Sequence, residues 1–189
     1  MILAAHNRGG GSGVDDGARD PDDDERSALA GGRRGPGVAL EHARAEAENL
    51  ERALRRVMSG GALIVGAVEV GRWSVVRADL CTPYALDLRV RLLTIDPAGW
   101  KGPEPRGVEF ERWRAGLASL APIGFERLPG VSYTVAYRRA RLAAVALVEV
   151  LARLPGWWVV DADCWADGTG VVRLTLTPED ASRLAEVVV

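Results

Sequence analysis

Lysine, glutamine, histidine and cysteine are scarce in this chain of 189 residues. Of the 24 basic residues only Lys101 is a lysine, glutamine does not occur, and there are 2 histidines and 2 cysteines. The arginine skew fits a bacterial, GC-rich genome. Scarce histidine narrows the catalytic options. His6 lies in a Gly-rich opening stretch, and His42 sits on a helix-forming segment among Glu41, Arg44 and Glu46, where a solvated face explains it. Cys81 and Cys164 stand too far apart for a metal-type pair within a short window. They read as reduced thiols of a cytosolic protein, or as a disulfide if their segments lie side by side.

Charge of one sign is also missing. The net charge is −2, and residues 1–38 hold seven acids against five arginines, so the remainder carries equal numbers of acids and bases. A neutral body lacks the basic excess that grips phosphate backbones, which argues against nucleic acid as a partner. The longest apolar run, Leu142 to Val148, is far short of the roughly 20 residues a membrane span needs. The opening Met1–His6 lacks a signal peptide's apolar core and basic lead. Soluble and cytoplasmic is the expectation. No G-x-S-x-G, P-loop, H-E-x-x-H or dinucleotide motif occurs, so the sequence points to no catalytic residue, metal site or cofactor.

A strand-like phrase occurs twice. Trp73-Ser74-Val75-Val76-Arg77-Ala78-Asp79 returns as Trp157-Trp158-Val159-Val160-Asp161-Ala162-Asp163, and a cysteine follows each copy. Arg91-Leu92-Leu93-Thr94 similarly answers Arg173-Leu174-Thr175-Leu176-Thr177. A decayed duplication would give two pseudo-repeated helix-plus-hairpin units sharing one sheet. Chance recurrence of ordinary strand residues is the competing explanation.

Residues 1–38, with nine glycines and an Asp-rich stretch, read as a disordered acidic leader. A single domain over 39–189 follows. Leu40, Ala43, Ala47, Leu50, Leu54 and Val57 recur at spacings of three and four and predict a helix from Ala39, stopped by Ser59-Gly60-Gly61. Ala62–Val70, Trp73–Leu80 and the alternating Ala85–Ile95 predict a three-stranded antiparallel meander. Phe110, Trp113, Leu117 and Leu120 mark a short helix. Tyr133, Val135 and Tyr137 suggest an extended segment, and Arg139–Leu154 a deeply buried helix. A hairpin around Asp167-Gly168 and a helix capped by Thr177-Pro178 complete the chain. The predicted class is α+β, a mainly antiparallel sheet covered by helices.

Two sets of residues could carry function. Trp73, Trp157, Trp158 and Trp165 cluster on the repeat strands, and Tyr133 and Tyr137 share a face. Adjacent Trp157 and Trp158 must point to opposite sides of a strand, so one needs cover. An exposed aromatic sheet face would receive a partner polypeptide; covering helices would make it core. The second set is Asp161, Asp163 and Cys164, with Asp79 and Asp167, which could bind a small ligand or hard cation. A structural subunit of a larger assembly is a third reading.

The element order, carried by Leu50–Val57, Gly61-Ala62-Leu63-Ile64-Val65, Trp113–Leu120 leading to Ile123-Gly124-Phe125, and Leu142–Leu154, resembles the peptide-binding chaperone superfamily of type III secretion chaperones and YbjN-like proteins. The resemblance covers about residues 39–156, and the Trp-rich final hairpin extends beyond it. It implies a non-catalytic, chaperone-like module that binds another polypeptide, often as a homodimer.

Overall fold

Thr82 and Pro83 set the course of the chain after its second strand. In the computed structural model, which describes residues 36–58, 61–117, 130 and 132–189, Cys81 ends a strand and the next residue begins a helix with proline in its first turn. Proline is pre-organised there, because its missing N–H is one the first turn leaves unpaired in any case. The segment Ala85–Ile95 is therefore helix over Thr82–Leu93, not the third strand of a meander. Its alternation of leucine and valine also contains a helical stripe: Tyr84, Ala85, Leu88 and Leu92 are buried, and Leu86, Val90 and Leu93 are exposed. Between Ala85 and Leu93 four residues are Leu and two are Arg, and only Val90 is β-branched, so local propensity favours helix there.

The elements in chain order are α1 (Pro36–Val57), β1 (Leu63–Val70), β2 (Trp73–Cys81), α2 (Thr82–Leu93), a 3₁₀ turn (Pro97–Gly99), α3 (Val108–Leu117), α4 (Thr134–Leu151), β3 (Trp158–Cys164), β4 (Gly170–Leu176) and α5 (Pro178–Val188). The class is α+β with a four-stranded antiparallel sheet, as predicted. All described residues lie in one compact unit, Arg34–Val189. Most of the predicted leader falls outside the described residues, and α1 takes in its last three positions. A second difference concerns Tyr133–Tyr137. The Tyr137 N–H donates to Tyr133 O at 2.8 Å, the first turn of α4. Three alternating residues are too few to outweigh the helix formers Ala136, Arg138, Arg139 and Ala140 that follow. Val131 lies outside the described residues, as do 118–120 of the predicted short helix.

The sheet order is β1-β2-β4-β3, two hairpins joined by antiparallel pairing of β2 with β4. Gly71, in the left-handed region at φ 58°, makes the first hairpin turn. The architecture repeats as α1-β1-β2-α2 and α4-β3-β4-α5. Helix α1 packs over β1 and β2 as α4 packs over β3 and β4, and α1 pairs with α5 as α4 pairs with α2. A pseudo-two-fold axis thus passes between Ala78 and Leu174, which face each other in the β2–β4 register.

The repeated tryptophan phrase does not follow this symmetry. Its copies lie on β2, the inner strand of one hairpin, and β3, the outer strand of the other, and Arg91–Thr94 lies at the end of a helix. Equivalent strands share a different signal. Val75-Val76-Arg77 on β2 matches Val171-Val172-Arg173 on β4, and Thr82-Pro83 at α2 matches Thr177-Pro178 at α5, with a spacing difference of one residue.

One sheet face carries Leu63, Val76, Ala78, Leu80, Val172, Leu174 and Leu176 into the main core beneath α1, α2, α4 and α5. Strand alternation sends their neighbours to the other face. There Val70 and Val75 pack with Trp113 and Leu117 of α3 in a smaller apolar cluster.

Candidate functional site

The aromatic residues divide between the two faces. Trp73 and Trp157 join the smaller cluster with Phe110 and Trp113 of α3, where the ring centroids of Trp113 and Trp157 lie 5.8 Å apart and those of Phe110 and Trp157 5.7 Å. Trp158 points the opposite way, against Trp100 in an edge contact at 6.2 Å, and packs with Trp165 on the main core. Each of these four strand-associated tryptophans is half-buried. The opposed orientation of Trp157 and Trp158 matches the alternation argument, and side chains of α3 and of the loop before it cover the two rings. Tyr133 is half-buried and donates its hydroxyl to Ala166 O at 2.6 Å, while Tyr137 is exposed on α4. The four tryptophans thus form two packed groups, Tyr133 bonds the β3–β4 turn and Tyr137 is exposed on α4, so the six do not share one open surface.

The acidic set divides in the same way. Asp161 and Asp163 lie on the sheet face opposite Cys164, as alternation along β3 requires. Asp163 accepts the Cys164 N–H at 2.8 Å and pairs with Arg173 at 3.2 Å. Asp161 is exposed opposite Arg173 in the ladder, and Asp167 accepts the Thr169 N–H within the turn. The structure does bring Asp79 and Asp163 together, around Arg173. Asp79, buried on β2, accepts from Arg77 Nε at 3.2 Å and from Arg173 Nε at 3.0 Å. Two arginines related by the pseudo-two-fold axis therefore converge on one carboxylate. Buried charges persist when paired and hydrogen-bonded in this way. Asp79 and Asp163 have the Arg173 guanidinium between them, which suits internal neutralisation. Among the described residues no three His, Cys, Asp or Glu side chains form a group that could hold a metal ion. Cys81 is buried and Cys164 half-buried; neither is in a disulfide, and the Cys164 thiol donates to Tyr133 O at 3.7 Å.

Two further polar sites shape the ends of the sheet. Thr177 and Asp180 cap α5 reciprocally: the Asp180 N–H donates to Thr177 Oγ1, and the Thr177 hydroxyl donates to Asp180 Oδ2 at 3.0 Å. Fully buried Asp180 also accepts the Trp157 N–H at 2.7 Å and an Arg183 N–H at 2.7 Å. Burial pushes its carboxyl above the ordinary aspartate range, although the hydrogen bonds from Trp157, Thr177 and Arg183 pull the other way. At the β1–β2 turn, Arg72 bonds Glu109 of α3 and lies 4.7 Å over the Trp73 ring, and with Arg112 it holds the exposed Glu109 carboxyl low.

A feature outside both predicted sets lies on the helical layer. On α4 the side away from the core carries Leu142, 72% exposed, and Val145, 53% exposed, with Val135 and Val148 also exposed. On α2, which packs against α4, the outer side carries Leu86, Val90 and Leu93. Both helices thus carry apolar side chains on the side away from the core as well as on the buried stripe, with charged residues between them, whereas an ordinary surface helix confines its apolar side chains to one stripe. The pseudo-symmetry supplies a comparison within the molecule. Helix α1 occupies the place equivalent to α4, and its outer side presents Glu41, Arg44, Glu48, Arg52 and Arg55. The fold therefore does not require an apolar outer face at this position. The signal was present in the sequence, in the nearly uncharged run from Leu142 to Leu151, but burial was the natural way to explain it.

No protein-family model, curated protein or solved structure matches the chain. No helix among the described residues is long and apolar enough to cross a membrane.

Proposed function

We propose that this chain is a non-catalytic protein-binding module that receives another polypeptide on the outer face of α2 and α4. One observation carries the reading: Leu86, Val90, Leu93, Leu142 and Val145 face solvent on two neighbouring helices, while the equivalent α1 is charged there. Clustered exposed apolar side chains rimmed by charge are the usual mark of a protein interface. The arginine-neutralised acids and divided aromatics offer less support for a ligand or metal site. The reading does not lean on the chaperone resemblance, because α2 stands where that family's meander would continue. It shares with the resemblance only the expectation of a polypeptide partner.

Site-specific photocrosslinking in the native host tests the proposal. A photoreactive residue replaces Val90 or Leu142, with Arg44 on α1 as the control position. Discrete protein adducts from positions 90 and 142, and none from 44, are expected. Equal labelling at all three positions, or none at any, overturns it.

A further inference from the structure

The exposed ridge of α4 is self-complementary, and we infer that its occupant is a second copy of this chain. The inference rests on the protein-binding reading above and names the partner. Val135, Arg138, Leu142, Val145, Glu149 and Ala152 are all exposed and recur at spacings of three and four along one side of the helix. That is the spacing of a coiled-coil seam, and at 1.5 Å per residue it runs for about 26 Å.

Charge placement selects one arrangement. A two-fold axis crossing the ridge between Ala143 and Ala144 would pair α4 antiparallel with its copy. Leu142 then meets Val145 of the copy and Arg138 meets Glu149, and each contact occurs twice because the interface is isologous. Val135 meets Ala152 at the two ends. Three more arginines are exposed beside the ridge, Arg139 and Arg141 on α4 and Arg153 in the turn that follows it. The same axis sets them opposite Val148, Ala146 and Thr134, so no arginine meets another. Parallel pairing would instead put Arg138 on Arg138 and Glu149 on Glu149. Among the described residues neither Arg138 nor Glu149 has an ion-pair partner within the chain, although Arg55 and Glu51 on α1 do. A standard interface buries about 800 Å² on each partner, more than a single ridge provides. Leu86, Val90 and Leu93 of the adjoining α2 extend the apolar surface.

Charge reversal with sedimentation equilibrium on purified full-length protein tests the inference. The wild-type chain is expected to sediment as a dimer. Arg138→Glu and Glu149→Arg should each weaken dimerisation by about tenfold or more, since like charges then face each other twice. The double variant restores opposite charges at both contacts and should recover the dimer. An equimolar mixture of the two single variants should form the heterodimer, in which both contacts are again Glu–Arg. Both positions are exposed, so circular dichroism should show unchanged folding. A wild-type monomer at tens of micromolar, a dimer indifferent to either reversal, or folded single variants that fail to pair when mixed would overturn the inference. Photocrosslinking separates this failure from failure of the wider reading. An adduct at twice the chain's 20.2 kDa is the homodimer, while adducts only at other masses retain a protein-binding module and discard self-association.

Discussion

Arg173 on β4 donates its Nε–H to Asp79 Oδ1 on β2 at 3.0 Å, directly across the ladder that joins the two halves of the sheet. Arg77 reaches the same oxygen from its own strand at 3.2 Å. The halves are thus tied by one carboxylate shared between equivalent arginines, on the face opposite the main core. Asp79→Ala should destabilise the fold by about 3–5 kcal/mol, because it takes the paired carboxylate from two buried guanidiniums and leaves Asp163 bonded to Arg173 alone. Replacing Arg77, Asp79 and Arg173 together by Met, Leu and Met should be neutral or stabilising, since the desolvation cost of the ions disappears with them. Urea denaturation of the two variants checks both statements. Similar losses in each would show that packing, not charge pairing, dominates at this position.

The apolar outer face leads to an opposite expectation. Val90 is 57% exposed on α2 and belongs to neither apolar cluster. Val90→Lys should change the unfolding free energy by no more than about 0.5 kcal/mol, as for other surface substitutions. It should also lower binding of a hydrophobic dye to the folded protein. A loss above about 1 kcal/mol at a concentration where the chain is monomeric would mean that α2 is covered within the chain.

Trp113 on α3 is almost wholly buried between Phe110 and Trp157. Trp113→Ala should cost about 3–5 kcal/mol, the usual range for removing a large aromatic from a packed cluster. The near-UV circular dichroism of the Trp113–Trp157 contact should vanish with it. Retained near-UV signal would place that coupling elsewhere.

The loop after α2 is pinned where a side chain has no room. The Trp100 indole N–H donates to Pro155 O, and a Cβ on Gly102 would fall on that same carbonyl. Gly102→Ala should therefore cost about 1–3 kcal/mol through forced backbone movement. Gly99→Ala in the same loop meets nothing within 4 Å and serves as the control. Equal stability of the two variants, measured by thermal denaturation, would show that the loop adjusts freely.

The helices and hairpins that the sequence displays plainly are those whose local and tertiary preferences agree. Leu50 and Leu54 on α1, the Asp167-Gly168 turn and the Thr177-Pro178 cap each specify one local structure, and the fold uses it. Ala85–Ile95 satisfies two periods at once, and the Thr82-Pro83 helix start decides between them. The candidate surface was hidden for a related reason. Hydrophobicity at Leu142 and Val145 predicts burial wherever nothing distinguishes the chain's own core from a partner's. Only the position of α1, charged at the equivalent place, separates the two. The Arg77–Asp79–Arg173 contact was equally out of reach, because it depends on a β2–β4 register that joins residues 94 positions apart.

Asp180 gives the fold a pH dependence of unusual sign for an aspartate. Burial raises its carboxyl above the ordinary value, so between that value, 3.8, and the raised one the folded state holds more protons than the unfolded state. Stability contributed at this site is therefore greatest at low pH and is lost as pH rises through the folded-state value. Asparagine at position 180 keeps an acceptor for the Trp157 N–H but cannot ionise. The stability of wild type relative to Asp180→Asn should then fall as pH rises from about 4, and level off once the carboxyl is ionised in both states. Paired urea titrations of the two proteins from pH 4 to pH 8 read this difference directly. A difference that grows in favour of wild type with rising pH would mean that Arg183 and the Trp157 N–H outweigh burial, and the assigned direction would be reversed.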